Sequence, residues 1–281
     1  MLVNQNKDTY DRKTHEYIVA YIDLLGVTNK IQSKDSQLAM NKLHNLYTFS
    51  VKLTRDVQIE ENQDIQFKIF SDNIIIAKKL SNQIPQRTQE IRSLLMCAGH
   101  FQELSASDSV GWLLRGGISI GQLFIDDVMV WGEALLKSYY LEDKIANYPR
   151  IIIDSEVVSI HKEFLNKVYN QEHRTIGKII KASSVDVAID PNNVKKDFDG
   201  IFFINYLSTT FTFRGDPYIR FNNHKIAVVE NLIHYCNNIK ISQKYLWCQN
   251  YHNNSLGKMA QIFPKFIITQ DDLPNQCIID D

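Results

Sequence analysis

Two aspartates stand where an apolar chain should not tolerate them. In the run YIVAYIDLLGV, residues 17–27, Ile18, Val19, Tyr21 and Ile22 are strand formers. Leu24, Leu25 and Val27 extend the apolar stretch, yet Asp23 sits within it. A bare carboxylate in such a place costs on the order of several kcal/mol. In FKIFSDNIIIAKKL, residues 67–80, Asp72 lies between Phe67-Lys68-Ile69-Phe70 and Ile74-Ile75-Ile76. A backbone donor, a cation or a metal must offset each charge. Two facing carboxylates repel unless they share a proton or a cation. Two such oxygen donors aimed at one spot suit Mg²⁺ or Mn²⁺, which take few protein carboxylates and fill the other positions with water and phosphate oxygens. Taken singly, Asp23 reads equally as an acceptor capping a turn, and Asp72 as an ordinary hairpin-tip aspartate.

The elements around them decide whether the two can meet. A strand at about 17–23 precedes a helix over 36–57, with Leu43, Leu46, Tyr47 and Leu53 on roughly one face. Two β-rich runs, 64–70 and 73–78, flank Ser71-Asp72 and predict a hairpin. Pro85 can open the next helix, in which Ile91, Leu94, Leu95 and Ala98 recur at helical spacing. A strand-like stretch, 111–132, is interrupted by Gly116-Gly117 and Gly121. A helix over 133–147, a strand over 150–154 and a helix at about 155–168 follow. Through residue 121 the order is β-α-β-β-α-β, the ferredoxin-like split βαβ. That topology lays the end of the first strand beside the central hairpin, so Asp23 and Asp72 would converge. Residues 170–200 mix loops and short strands, 201–207 is a strand, and 222–254 forms one or two helices. The expected class is α+β, a ferredoxin-like core with a C-terminal α/β extension. The expected boundaries are a leader at 1–14, a core at 15–207 and a mostly helical extension at 208–281.

Bulk properties narrow the field. Among 281 residues, 44% are hydrophobic and 22% charged, enough for a sizeable core and ordinary for a soluble chain. A formal net charge of −1 argues against a nucleic-acid coat or a polybasic membrane patch. No run reaches membrane-spanning length, and the polar N-terminus lacks a signal peptide's apolar core. Cys97, Cys236, Cys248 and Cys277 form no C-x-x-C pair. Reduced thiols in a cytoplasmic protein are expected.

Four segments together resemble the class III nucleotidyl cyclases: AYIDLLGV, KIFSDNIII, LRGGISIGQL and VWGEALLKSYYLE, in the family's order over about residues 17–145. The finer resemblance is to bacterial Pycsar-type pyrimidine cyclases, which carry Ser-Asp in the hairpin. They also carry a Gly-x-Ala-Leu…Tyr-x-Leu-Glu helix, here Gly132, Ala134, Leu135, Tyr140, Leu141 and Glu142. The resemblance implies a lyase that turns UTP into cyclic UMP and pyrophosphate, with cyclic CMP from CTP as the alternative. The product would signal to a separate effector in antiphage defence. It implies two Mn²⁺ or Mg²⁺ ions per site, with Asp23, Leu24 and Asp72 as ligands. The chain from Leu24 to Gly26 would offer backbone N–H groups to phosphate. Leu25, Gly26, Gln66 and Met129 would contact nucleotide. It also implies a head-to-tail homodimer with sites at the interface, and neither nucleic acid nor membrane as partner.

Departures from the family matter as much. Gln66 and Met129 fall where adenylyl cyclases carry the lysine and aspartate that read adenine, which argues against ATP. Leu136 and Tyr140 fall where those enzymes have asparagine and the transition-state arginine. Lys137 and Arg115 are the candidates to supply catalytic positive charge, and Arg115 reads equally as a structural ion-pair partner. The missing arginine also leaves open a non-catalytic binding module. Gly116-Gly117 reads equally as a bulge or close strand contact, or as part of a ligand site. Asp126-Asp127 is expected in a hairpin turn. Asp186, Asp190, Asp197 and Asp199 are expected on loops and solvated faces. The eight histidines show no metal spacing, and Trp112, Trp131 and Trp247 are expected in core or interface.

Overall fold

The computed structural model describes residues 12–61, 65–107, 111–172, 193–211, 217–257 and 259–274. The fold is α+β, and its centre is strand β1 (His15–Leu24). Its even residues Ile18, Ala20, Ile22 and Leu24 belong to the main core. Its odd residues Tyr17, Val19 and Tyr21 belong to a smaller core on the other face. Both faces are covered, so the run reads as nearly unbroken apolar sequence rather than as alternation.

Helices α1 (Val27–Ile31) and α2 (Ser36–Glu61) lead to the hairpin of β2 (Ile65–Phe70) and β3 (Asn73–Lys79). Helix α3 (Ile84–Ser107) covers the main core, and β4 (Leu114–Ile125) returns beside β1. The short β5 (Val130–Gly132) hairpins onto β4 and leads into α4 (Glu133–Tyr140). Then follow β6 (Ile151–Ile153), α5 (Ser155–Glu172), β7 (Val194–Lys196) and β8 (Phe202–Ile204). The sheet order is β2-β3-β1-β4-β6-β8-β7, with β5 on β4. All pairings are antiparallel except β4 with β6. Its first four strands reproduce the ferredoxin-like arrangement.

Several local expectations are corrected. The glycines do not interrupt β4, which runs unbroken from Leu114 to Ile125. Gly117 instead lets α4 approach: a Cβ there would sit 2.3 Å from the Ser138 carbonyl oxygen. Helix α4 does not continue as α-helix to residue 147. It turns into a π-helical segment, Leu141–Ile145. The stretch after β8 is a 3₁₀ segment, Tyr206–Phe211.

Two helices, α6 (Pro217–His234) and α7 (Ile239–Leu256), form the C-terminal hairpin, followed by the short α8 (Met259–Ile262). Arg220 of α6 pairs at 2.7 Å with Glu103, an acid wholly buried on α3. Asp186, Asp190 and Cys277 lie outside the described residues. Cys97, Cys236 and Cys248 are free thiols. No described helix is long and apolar enough to cross a membrane.

Candidate active site

Pairing places both aspartates at one end of the sheet. Asp23 lies opposite Asn73 on β3 and opposite Arg115 on β4. The Leu24 N–H donates to the Asp72 carbonyl at 3.0 Å, which ties the hairpin tip to the end of β1. Asn73 bridges the neighbourhood: its amide donates to Asp72 at 3.1 Å and its oxygen accepts from the Tyr21 hydroxyl at 2.6 Å. At the tip, Ser71 has φ +55°, a left-handed conformation that disfavours side chains.

The local field is negative. Burial pushes Asp23 up to about 6. The Asp72 charge raises it further, while Arg115 and Lys244 oppose the rise. Burial, then the charges of Glu142 and Asp23, pushes the Tyr21 phenol up to about 12. Tyr47 is raised by burial and then by Asp72 and Asp23. Arg115 does not neutralise the pair: it sits 2.5 Å from the buried Glu142 and 3.7 Å from Asp23. Three acids, Asp23, Asp72 and Glu142, thus face two cations, Arg115 and Lys244. One negative charge is left over when all are ionised. Among the described residues no group of three or more His, Cys, Asp or Glu side chains could hold a metal. Asp23 and Asp72 bring two hard oxygen donors to this end of the sheet, the donor type that Mg²⁺ and Mn²⁺ take.

The phosphate-facing backbone needs correction. The Leu24 N–H is spent on Asp72, and the Leu25 N–H donates to the Leu113 carbonyl at 3.0 Å. Backbone donors for an anion therefore start no earlier than Gly26. That residue has φ +82°, and a Cβ there would meet nothing within 4 Å.

A second cavity of about 440 Å³ opens on the α4 face. It is lined by Tyr21, Lys68, Phe70, Met129, Leu136 and Tyr139, among others. Met129 lines it, whereas Gln66, opposite Ala77 on β3, is not among its lining residues. Lys68 is the charged side chain among the described lining residues, 3.7 Å from Asp127. Its position two residues along the same strand face was the signal that could have found it. Lys137 is turned to Glu133, one helical turn back on α4, at 2.8 Å. Within one chain it is not brought to the aspartate pair. Asp126 is a turn residue that accepts from the N–H groups of Val128 and Met129, each at 2.8 Å.

Asp197 and Asp199 lie on the β7–β8 turn as expected, with Asp199 exposed, but they are not idle loop acids. They clamp Arg150, whose side chain is 0% exposed. Rings of Tyr148, Phe203 and Trp247 lie 5.3–5.9 Å from its guanidinium, and the Trp247 indole donates to Asp197 at 2.8 Å.

No family model matches the chain, and no curated protein matches it. Solved structures do. The monomeric guanylyl cyclase domain of a RhoGC fusion protein from the aquatic fungus Blastocladiella emersonii is 11% identical. That match covers 69% of this chain and 96% of that one, with a TM-score of 0.45. The guanylate cyclase domain of RhGC from Catenaria anguillulae, in complex with GTP, is 15% identical over 53% of this chain and 82% of that one, with a TM-score of 0.40. The adenylyl cyclase CyaB from P. aeruginosa is 12% identical over 54% and 83%, with a TM-score of 0.39.

Proposed function

We propose that the chain is a nucleotidyl cyclase acting on a pyrimidine nucleoside triphosphate, with UTP as substrate and cyclic UMP as product. The observation that carries this reading is the Asp23–Asp72 pair at one sheet end, with Asp23 held high by burial and left short of positive charge. In the reaction the ribose 3′-oxygen bonds to the α-phosphorus, the bond from that phosphorus to the bridging oxygen breaks, and pyrophosphate leaves. Asp23 and Asp72, with Leu24 beside them, would hold the divalent ions. When bound, these supply acidity to the 3′-hydroxyl and neutralise phosphate charge. Asn73 and Arg115 orient the two carboxylates. Leu25 and Gly26 line the adjoining space, where Gly26 permits close approach of phosphate. Met129 and Lys68 face the base. Met129 offers no acceptor for an adenine amino group, which supports the choice against ATP.

The assembly we propose is a head-to-tail homodimer, which in such enzymes completes each site from two chains. It is supported by an exposed apolar face beside the site: Phe70, Val128, Met129, Trp131, Leu136 and Tyr140 all face solvent. Lys137, turned away from its own aspartates, could serve only across that interface. In the proposed setting the cyclic product is the message, read by a separate effector during antiphage defence.

The test is incubation of the purified chain with Mn²⁺ and each of the four triphosphates. Cyclic UMP and pyrophosphate from UTP are expected. Cyclic CMP would move the substrate to CTP, a purine product would overturn the pyrimidine reading, and no product would overturn the cyclase. One observation favours a second reading, a binding module without turnover: Arg115 is held by Glu142. Calorimetry showing metal-dependent nucleotide binding without product would establish it.

A further inference from the structure

A cavity of about 690 Å³ opens directly beyond the end of β1 and is walled on one side by the C-terminal helices. Leu25 and Gly26 form its floor. Among the described residues, Lys30, Lys42, Lys244 and Glu230 are charged side chains that line it. The volume lies within the usual range for small-ligand pockets. Lys244 is the junction between this cavity and the aspartates: it lines the cavity and acts electrostatically on Asp23, Arg115 and Glu142. It arrives on α7, about a hundred residues past the segments that resemble a cyclase.

We propose that this cavity receives the polyphosphate end of the substrate, and that Lys244 of α7 is the in-chain cation that grips it, making the C-terminal hairpin a wall of the active site. This rests on the cyclase reading for the identity of the polyphosphate. The geometry suits an anion with one end on Gly26 and the other among the lysines. Glycine at φ +82° with open space above it lets phosphate approach the backbone. An ammonium is a compact point charge suited to phosphate oxygens. Burial pushes Lys244 downward and Arg115 adds to the fall, while Asp23 and Glu142 oppose it, and a phosphate beside the ammonium would favour its charged form in the same way. The competing role is a counter-ion to Asp23 alone, which would leave phosphate affinity untouched.

The experiment is calorimetric titration of the full chain with pyrophosphate in the presence of Mn²⁺. Lys244→Met should weaken binding about tenfold or more, the loss expected for one hydrogen bond to a charged group. Lys244→Arg should stay within about threefold, since the charge is kept. Unchanged affinity in a folded Lys244→Met protein would overturn the proposal. Amine labelling of Lys244 in the unmutated chain gives a test independent of folding. Protection by pyrophosphate is expected, and equal labelling with and without it would overturn the proposal. Pyrophosphate binding needs no turnover, so the two readings fail separately. A chain that makes no cyclic nucleotide but loses pyrophosphate with Lys244→Met keeps this inference and loses the cyclase. A chain that cyclises UTP and binds pyrophosphate equally well as Lys244→Met does the reverse.

Discussion

Asp197 and Asp199 close on Arg150, a fully buried cation, while Asp23 faces Arg115, a cation already held by Glu142. Both pairs sit on strand ends or turns of the same sheet. In the first, hydrogen bonds from Arg150 hold Asp199 below the usual carboxylate range against the opposing effect of burial. In the second, burial wins and Asp23 rises to about 6. A saturated pair anchors structure, and an unsaturated one is poised for a ligand of opposite charge. The acids are the same residue type; the difference lies in their partners and in the greater burial of Asp23.

Mutations should separate the two pairs cleanly. Asp197→Ala leaves a buried guanidinium half-paired and should cost about 3–5 kcal/mol. That corresponds to a fall in Tm of roughly 10 °C, measurable by calorimetry. Asp72→Ala should leave the melting curve in place and reduce turnover about a thousandfold or more, the equivalent of about 4 kcal/mol of metal-dependent stabilisation. An active Asp72→Ala protein would remove the metal assignment.

Asp23 offers a sharper contrast, because activity and stability should move in opposite directions. Asp23→Asn should abolish turnover yet raise the stability of the metal-free protein near pH 7.5 by about 2 kcal/mol, since it deletes an anion held roughly two pH units above its usual value. Acid should likewise act with opposite sign on the two regions. The Asp23 pKa is raised, so its stabilising contribution is fully present below about 3.8 and is lost as pH climbs through about 6. The Asp199 pKa is lowered, so its contribution is present above the ordinary carboxylate range and is lost as pH falls through its depressed value. Metal affinity at Asp23 should weaken about tenfold per pH unit below 6, because proton and cation compete for the same oxygens. A Mn²⁺ titration across pH 5–7.5 measures it.

Smaller effects refine the site's edges. Lys68→Met should raise KM for the nucleotide about tenfold with a lesser change in kcat, as expected for one charged hydrogen bond to a base edge. Ser71→Gly should stabilise the hairpin tip by about 1 kcal/mol, because glycine adopts φ +55° without the side-chain penalty.

Much of the site was legible in local pattern. A carboxylate inside a strand-forming run, a second at a hairpin tip and the order of elements between them were enough to predict convergence. Ser71-Asp72 does occupy the β2–β3 turn, and Asp126 does cap the β4–β5 turn. The misreadings share a cause. Gly116-Gly117 looked like a break because glycine weakens an isolated strand, but here α4 lies so close that Gly117 has no room for a Cβ. Asp197 and Asp199 looked solvated because their neighbours in sequence are polar. The Arg150 that they clamp is 47 and 49 residues away.

The sequence by itself determined the α+β order of elements, the strand that carries Asp23 and the turn that carries Asp72. Those features arise from periodicity and turn chemistry within a few residues. Only the tertiary structure decided which charges meet: Glu142 taking Arg115, Arg150 taking two aspartates, and Lys244 reaching the front of the sheet from the far end of the chain. Coulomb interactions depend on distance in space and on burial, and neither is written in the spacing of residues along the chain.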